Sequence, residues 1–160
     1  MILNILIIHE IDWINKVLFE PHHISELLSM QKHNVFVIDC RDANLKKLST
    51  AIHTEEIKNY HRVYDQGSIT LIRPPSISIK GLNRITSYLF CKKIIRETII
   101  KNNIHIILLY GTATNGTQTI DVAKELKIPV FYRLLDITHS LVKTPIIRQF
   151  ARKNEQLVIR

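Results

Sequence analysis

Ile2-Leu3-Asn4-Ile5-Leu6-Ile7-Ile8, running straight into His9-Glu10-Ile11-Asp12-Trp13, is the stretch that decides the fold. A strand with one wet face alternates apolar and polar residues. An almost unbroken apolar run rich in isoleucine is how a strand buried on both faces reads. Such a strand needs helices on either side, and the residues that follow supply them. Pro21 suits the first turn of a helix, with Glu20 beside its positive end. Ile24, Leu27 and Leu28 then fall on one helix face. Lys32-His33-Asn34 ends that helix, and Val35-Phe36-Val37-Ile38 reads as a second buried strand closing on Asp39.

Residues 41–60 are polar and read as weakly helical. Arg62-Val63-Tyr64 and Ser68-Ile69-Thr70-Leu71-Ile72 suggest strand pieces around Gln66-Gly67, stopped by Pro74-Pro75. Leu82, Ile85, Leu89, Ile95 and Ile99 mark a long helix over 82–102. A buried strand follows from Ile104 to Tyr110, then a small hydroxylated loop, Gly111 to Asn115. A helix runs on to Leu126, and Pro129-Val130-Phe131-Tyr132 is the next strand. A last helix is expected over 145–154, with Leu157-Val158-Ile159 opening a further strand. A strand beginning so near Arg160 reads as a chain cut at a domain junction. The alternation predicts an α/β, Rossmann-like, doubly wound and mostly parallel sheet with helices on both faces.

Composition narrows the class. At 160 residues, 46% hydrophobic and 22% charged, the chain suits one soluble domain. Cys40 and Cys91 are too few for a secreted disulfide framework and read as buried thiols. No run reaches the ~18–20 apolar residues that span a bilayer, and the apolar start has no basic region or cleavage site. A cytoplasmic protein is expected, peripheral at most to an inner membrane face. The net charge of +8 favours an anionic partner, although its cations are scattered and a solvated basic face is an equal reading. Nucleic acid fits poorly, because the few aromatics do not interleave with cations.

In open parallel sheets ligands collect beyond the carboxyl ends of the strands. That rule selects His9, Glu10, Asp12 and Trp13 after the first strand, and Asp39, Arg41 and Asp42 after the second. It also selects Gly111, Thr112, Thr114, Asn115 and Gly116, and finally Arg133, Asp136 and His139. The Gly111–Thr117 loop has the look of an anion cradle at a helix start. The competing reading makes Thr114 or Asn115 a plain helix cap. No Walker sequence and no G-x-G-x-x-G follow a strand here. Neighbouring His22 and His23 point about 100° apart on a helix, which disfavours a shared metal. The segment from Ile77 to Lys93 mixes apolar side chains with cations; it suits an anionic membrane surface or, equally, a core helix with a basic outer face.

The opening strand, the helix from Pro21 to Gln31 and the turn Lys32-His33-Asn34-Val35-Phe36-Val37-Ile38-Asp39 resemble the amino-terminal domain of family 4 glycosyltransferases of the GT-B fold. Leu126-Lys127-Ile128-Pro129-Val130, followed by Arg133-Leu134-Leu135-Asp136, resembles a later motif of that family. Glu155-Gln156-Leu157-Val158-Ile159 resembles the segment before its domain crossover. Lys32 and Asn34 stand where the family usually has glycine and glutamate, and the first loop lacks the usual glycines. The resemblance implies that residues 1–160 are the acceptor-side domain of a retaining glycosyltransferase. Its donor-binding carboxyl-terminal domain, with paired glutamates, would be absent, and the chain alone would be inactive. It implies a nucleotide-sugar donor held by that other domain, a glycan or lipid-linked acceptor, and no cofactor or metal. By position, Asp136 and His139 would be catalytic. His9, Glu10, Asp12, Trp13, Gly111, Thr112, Asn115 and Arg133 would bind substrate, with His9 or Asp12 orienting the acceptor hydroxyl and Arg133 balancing the leaving phosphate. The alternative is a stand-alone module that binds a phosphorylated ligand at Gly111–Thr117 or an anionic membrane surface.

Overall fold

The computed structural model describes residues 1–42, 53–77, 79, 82–111, 114–134 and 145–159. In chain order the elements are β1 (Asn4–Ile8), α1 (Glu20–Met30), β2 (Asn34–Ile38), β3 (Glu55–Tyr60), β4 (Ile69–Arg73), α2 (Leu82–Lys101), β5 (Ile106–Leu109), α3 (Gly116–Leu126), β6 (Val130–Tyr132) and α4 (Pro145–Ile159). The strands form one sheet in the order β3-β4-β2-β1-β5-β6. All neighbours pair in parallel except β3, which runs antiparallel to β4. This is the α/β, Rossmann-like architecture.

The alternation along β1 divides the core. Leu6 and Ile8 point into a layer shared with Ile95 and Ile99 of α2 and Val122 of α3, against which Val158 of α4 also packs. Ile5 and Ile7 point into the opposite layer with Val35, Val37, Leu71 and Trp13, where Leu28 of α1 joins. Each fully buried Ile or Leu side chain contributes about 1.5–3 kcal/mol relative to exposure.

Three expectations are corrected. Residues 55–60 form an antiparallel edge strand rather than a weak helix, because Glu55, Glu56 and Ile57 pair with Arg73, Ile72 and Leu71. Arg62-Val63-Tyr64 is not a strand. Its three consecutive backbone N–H groups turn inward and donate to the buried carboxylate of Glu26, at 2.7 to 3.3 Å. Leu157-Val158-Ile159 is the last turn of α4, not the start of a strand. Tertiary packing of Val158 decides that case over its β-branched preference.

Three helices end alike. Lys32, Asn103 and Lys127 follow α1, α2 and α3 in the left-handed region, with φ of 69°, 48° and 56°. In each, the next amide reaches back five residues: His33 to Leu28 O, Ile104 to Ile99 O, and Ile128 to Ala123 O. These are Schellman closures, normally made with glycine. A lysine there carries a Cβ penalty of about 1 kcal/mol. Exposed Lys127 replaced by glycine should therefore raise stability by roughly 0.5–1 kcal/mol. Chemical denaturation, with the midpoint moving up at unchanged slope, checks this.

Candidate functional site

The carboxyl ends of the strands bring the predicted loops to one edge, but most of their side chains turn inward. Glu10 is buried, and its carboxylate accepts the backbone N–H of Thr114 at 2.8 and 3.0 Å and that of Asn115 at 2.7 Å. It therefore caps α3 from a different strand, at the positive helix end where a phosphate would otherwise sit. Asn115 is the N-cap residue but makes no side-chain cap bond, and its buried Oδ1 has no partner among the described residues. Gly111 makes room for this arrangement. A Cβ added there would stand 2.8 Å from Cγ of Glu10. Within the expected anion cradle, the amides of Thr114 and Asn115 are thus taken by the chain's own carboxylate.

Asp12 and Trp13 are likewise internal. Trp13 has no exposed surface; it lies against His22 with ring centroids 4.1 Å apart. Asp12 accepts the Arg73 guanidinium at 2.9 Å, the side chain of Asn15, and the amides of Ile14, Asn15 and Asp42. Arg73 also donates through Nε to Asp39 at 2.9 Å, and Asp39 accepts the amide of Trp13. One buried guanidinium therefore bridges two buried carboxylates. Their environments push them apart. Burial raises the Asp39 carboxyl to about 6 despite the opposing pull of Arg73. Burial acts on Asp12 too, but hydrogen bonds from Asn15 and Asp42, with Arg73, outweigh it and hold its pKa below the usual value.

What remains open to a ligand lies where β1 and β5 part, the point at which the strand order reverses. His9 is half-buried and stacks on Tyr110 at 5.6 Å with ring planes 11° apart. Arg133, just past β6, makes a bidentate pair with Glu20 in the first turn of α1, at 3.0 and 3.2 Å. The charges of both act on the buried Tyr110 phenol, whose pKa burial raises. His9, Tyr110, Glu20 and Arg133 thus form one group at the rim, drawn from β1, β5, α1 and β6. Its hydrogen-bond donors and acceptors surround a flat aromatic pair. Glu20 and Tyr110 were not singled out from sequence. Tyr110 carried a signal, as the polar-tipped last residue of an apolar run. Glu20 carried none beyond its place at a helix start. Thr112, Asp136 and His139 lie outside the described residues.

Among the described residues no cluster of His, Cys, Asp or Glu is placed to hold a metal ion. His22 uses Nδ1 to accept the amide of Phe19 and sets Nε2 3.2 Å from Trp13 O, while His23 contacts the Tyr64 hydroxyl. Cys40 and Cys91 are buried free thiols. No helix among the described residues is long and apolar enough to cross a membrane.

The sequence matches no family model, and no curated protein matches it. Among solved structures it is similar to a crystal structure described as a UGT transferase from Siraitia grosvenorii in complex with UDP. The identity is 14% and the TM-score 0.48, over 82% of this chain. The chain spans 27% of the length of that one. A likeness of this size is silent on chemistry.

Two outcomes follow from the buried carboxylates. Gly111→Ala should cost about 1–3 kcal/mol through its collision with Glu10, and Glu10→Ala about as much through unmet amides. The double variant should lose roughly 1 kcal/mol less than the sum, because the collision goes with the side chain. Denaturant titrations of the three proteins measure it. For Asp39 the folded-state pKa lies above the unfolded value of 3.8. Its contribution is therefore whole below that pH and lost as pH rises through about 6. Asp39→Asn, which cannot ionise, should gain stability relative to the parent between pH 4 and 7. Melting temperatures of both proteins across that range check the sign.

Proposed function

We propose that the chain is the amino-terminal, acceptor-side domain of a glycosyltransferase of GT-B architecture, working in the cytoplasm. It would act with a second domain that holds a nucleotide-sugar and transfer the sugar to a glycan or lipid-linked acceptor. The rim group at the switch point carries the reading. Sugars present both C–H faces and a ring of hydroxyls. Half-buried His9, backed by the buried ring of Tyr110, offers an aromatic edge beside the Glu20–Arg133 pair. The sequence motifs from Lys32 to Asp39 and from Leu126 to Asp136 support the same reading.

In this mechanism His9 orients the acceptor hydroxyl, and Asp136 and His139 contact the sugar or the reacting oxygen. Arg133 exchanges Glu20 for the departing phosphate and balances its charge. The transfer retains configuration without a covalent nucleophile or a metal. Catalysis then comes from positioning and from charge stabilisation of an oxocarbenium-like state. The domain alone supplies one wall of the cleft and should turn over nothing. The alternative, a module holding a phosphorylated ligand at Gly111–Thr117, has less support, because the amides of Thr114 and Asn115 already hold Glu10.

The test is a fusion to the donor domain of a transferase of this architecture, accepted for assay once it melts cooperatively and binds donor. Sugar transfer from a nucleotide-sugar to a soluble or lipid-linked acceptor is expected. His9→Ala and Asp136→Ala should each lower kcat/KM by about 100-fold without lowering the melting temperature. Undiminished turnover in Asp136→Ala would remove that residue from the site. A folded, donor-binding fusion that transfers no sugar would overturn the reading.

A further inference from the structure

The edge that carries the rim group also carries exposed apolar side chains. Val17, Leu18 and Phe19, in the connection from β1 to α1, are exposed, Val17 at 70%. On the other face of the sheet, Ile79 precedes α2, and Ile85, Tyr88 and Leu89 form an i, i+3, i+4 stripe along its first half. Ile85 is 54% and Leu89 67% exposed. This stripe is not the core face of α2, which is built from Cys91, Ile94, Ile95 and Ile99. Leu134, past the end of β6, adds an exposed apolar side chain from a third connection at the same edge. The strand direction makes this common edge necessary, since all three connections leave the carboxyl ends of parallel strands.

Charge identifies what covers such a collar. From Lys80 to Lys93 the sequence holds Lys80, Arg84, Lys92 and Lys93 and no aspartate or glutamate. Further along α2, Lys92 and Lys93 meet only loose, exposed partners, Asp121 and Glu97, each at 3.8 Å. Such pairs are screened and weak. Arg96 is held closely by Glu125. The apolar stripe begins about two turns before those carboxylates, so its own end of the helix is apolar and basic. An apolar stripe with a tyrosine and flanking cations matches the boundary between acyl chains and anionic headgroups.

We propose that the collar of Val17–Phe19 and the first half of α2 rests on an anionic membrane surface. The side chains of Ile85 and Leu89 enter the headgroup layer, and Lys92 and Lys93 one to two turns on face lipid phosphates. The docking does not depend on sugar transfer. Where both hold, the crevice between β1 and β5 faces the lipid and receives an acceptor anchored there.

The test uses the full chain and needs no transfer assay. The chain is floated with vesicles of phosphatidylcholine alone and with vesicles containing phosphatidylglycerol. Recovery with the anionic vesicles is expected, and it should fall several-fold in high salt. Ile85→Glu/Leu89→Glu should reduce partitioning at least tenfold at unchanged melting temperature. Val17→Glu, on the opposite face of the sheet, should reduce it independently. Equal recovery in both vesicle types, or retention by the folded double variant, would overturn the proposal. So would a dimer in solution that Leu89→Glu dissolves, because the collar would then be covered by a second copy.

Discussion

A carboxylate buried against backbone N–H groups is the interaction on which the ligand edge depends. Glu10 joins the end of β1 to the start of α3, spanning about a hundred residues of sequence with three short hydrogen bonds. Glu26 does the same between α1 and the turn at residues 62–64. Each carboxylate faces a glycine, Gly111 or Gly67, at which an added Cβ would stand 2.8 Å from the glutamate side chain. In a chain with 4 glycines, two are placed to admit a buried charge. The loop amides that would be costly to bury unpaired are satisfied from within.

The Asp12–Arg73–Asp39 bridge adds a second tie. It ties β1, β2 and β4 together at their carboxyl ends, and it holds Asp12 and Asp39 inside the fold. Removing one partner of such a buried set is far more damaging than its formation is helpful, since a charge would be left without solvent or counterion. The cluster works as a positional lock. It fixes where His9 sits by fixing the loop on either side of Asp12.

The frame was legible because it rests on periodicity. The almost unbroken apolar runs at 2–8, 35–38 and 104–110 read as strands covered on both faces, and the helix faces between them were equally plain. Glu55 to Tyr60 was not, because an exposed edge strand needs no apolar pattern and holds only by pairing with β4. Val158 misled through its β-branched neighbours, since a short apolar segment at the end of a helix looks like a strand until its packing is known. Within the site, position along the chain gathers the loops at one edge but does not give the direction of each side chain. Sequence places His9, Glu10, Asp12 and Trp13 in one loop. Whether each points out or in depends on partners at Tyr110, Thr114, Arg73 and His22, none of which is near in sequence.

The two margins of the sheet differ in kind. At β3 the strand is charged, kinked at Asn59 with φ of 55°, irregular between Ile57 and Tyr60, and studded with ion pairs from Glu55 to Arg41 and from Glu56 to Lys101. Such a margin repels a stranger strand. At the far side β6 is three uncharged residues, Val130-Phe131-Tyr132, paired among the described residues to β5 alone. Of the two described margins, this uncharged one is where a further strand would meet less resistance.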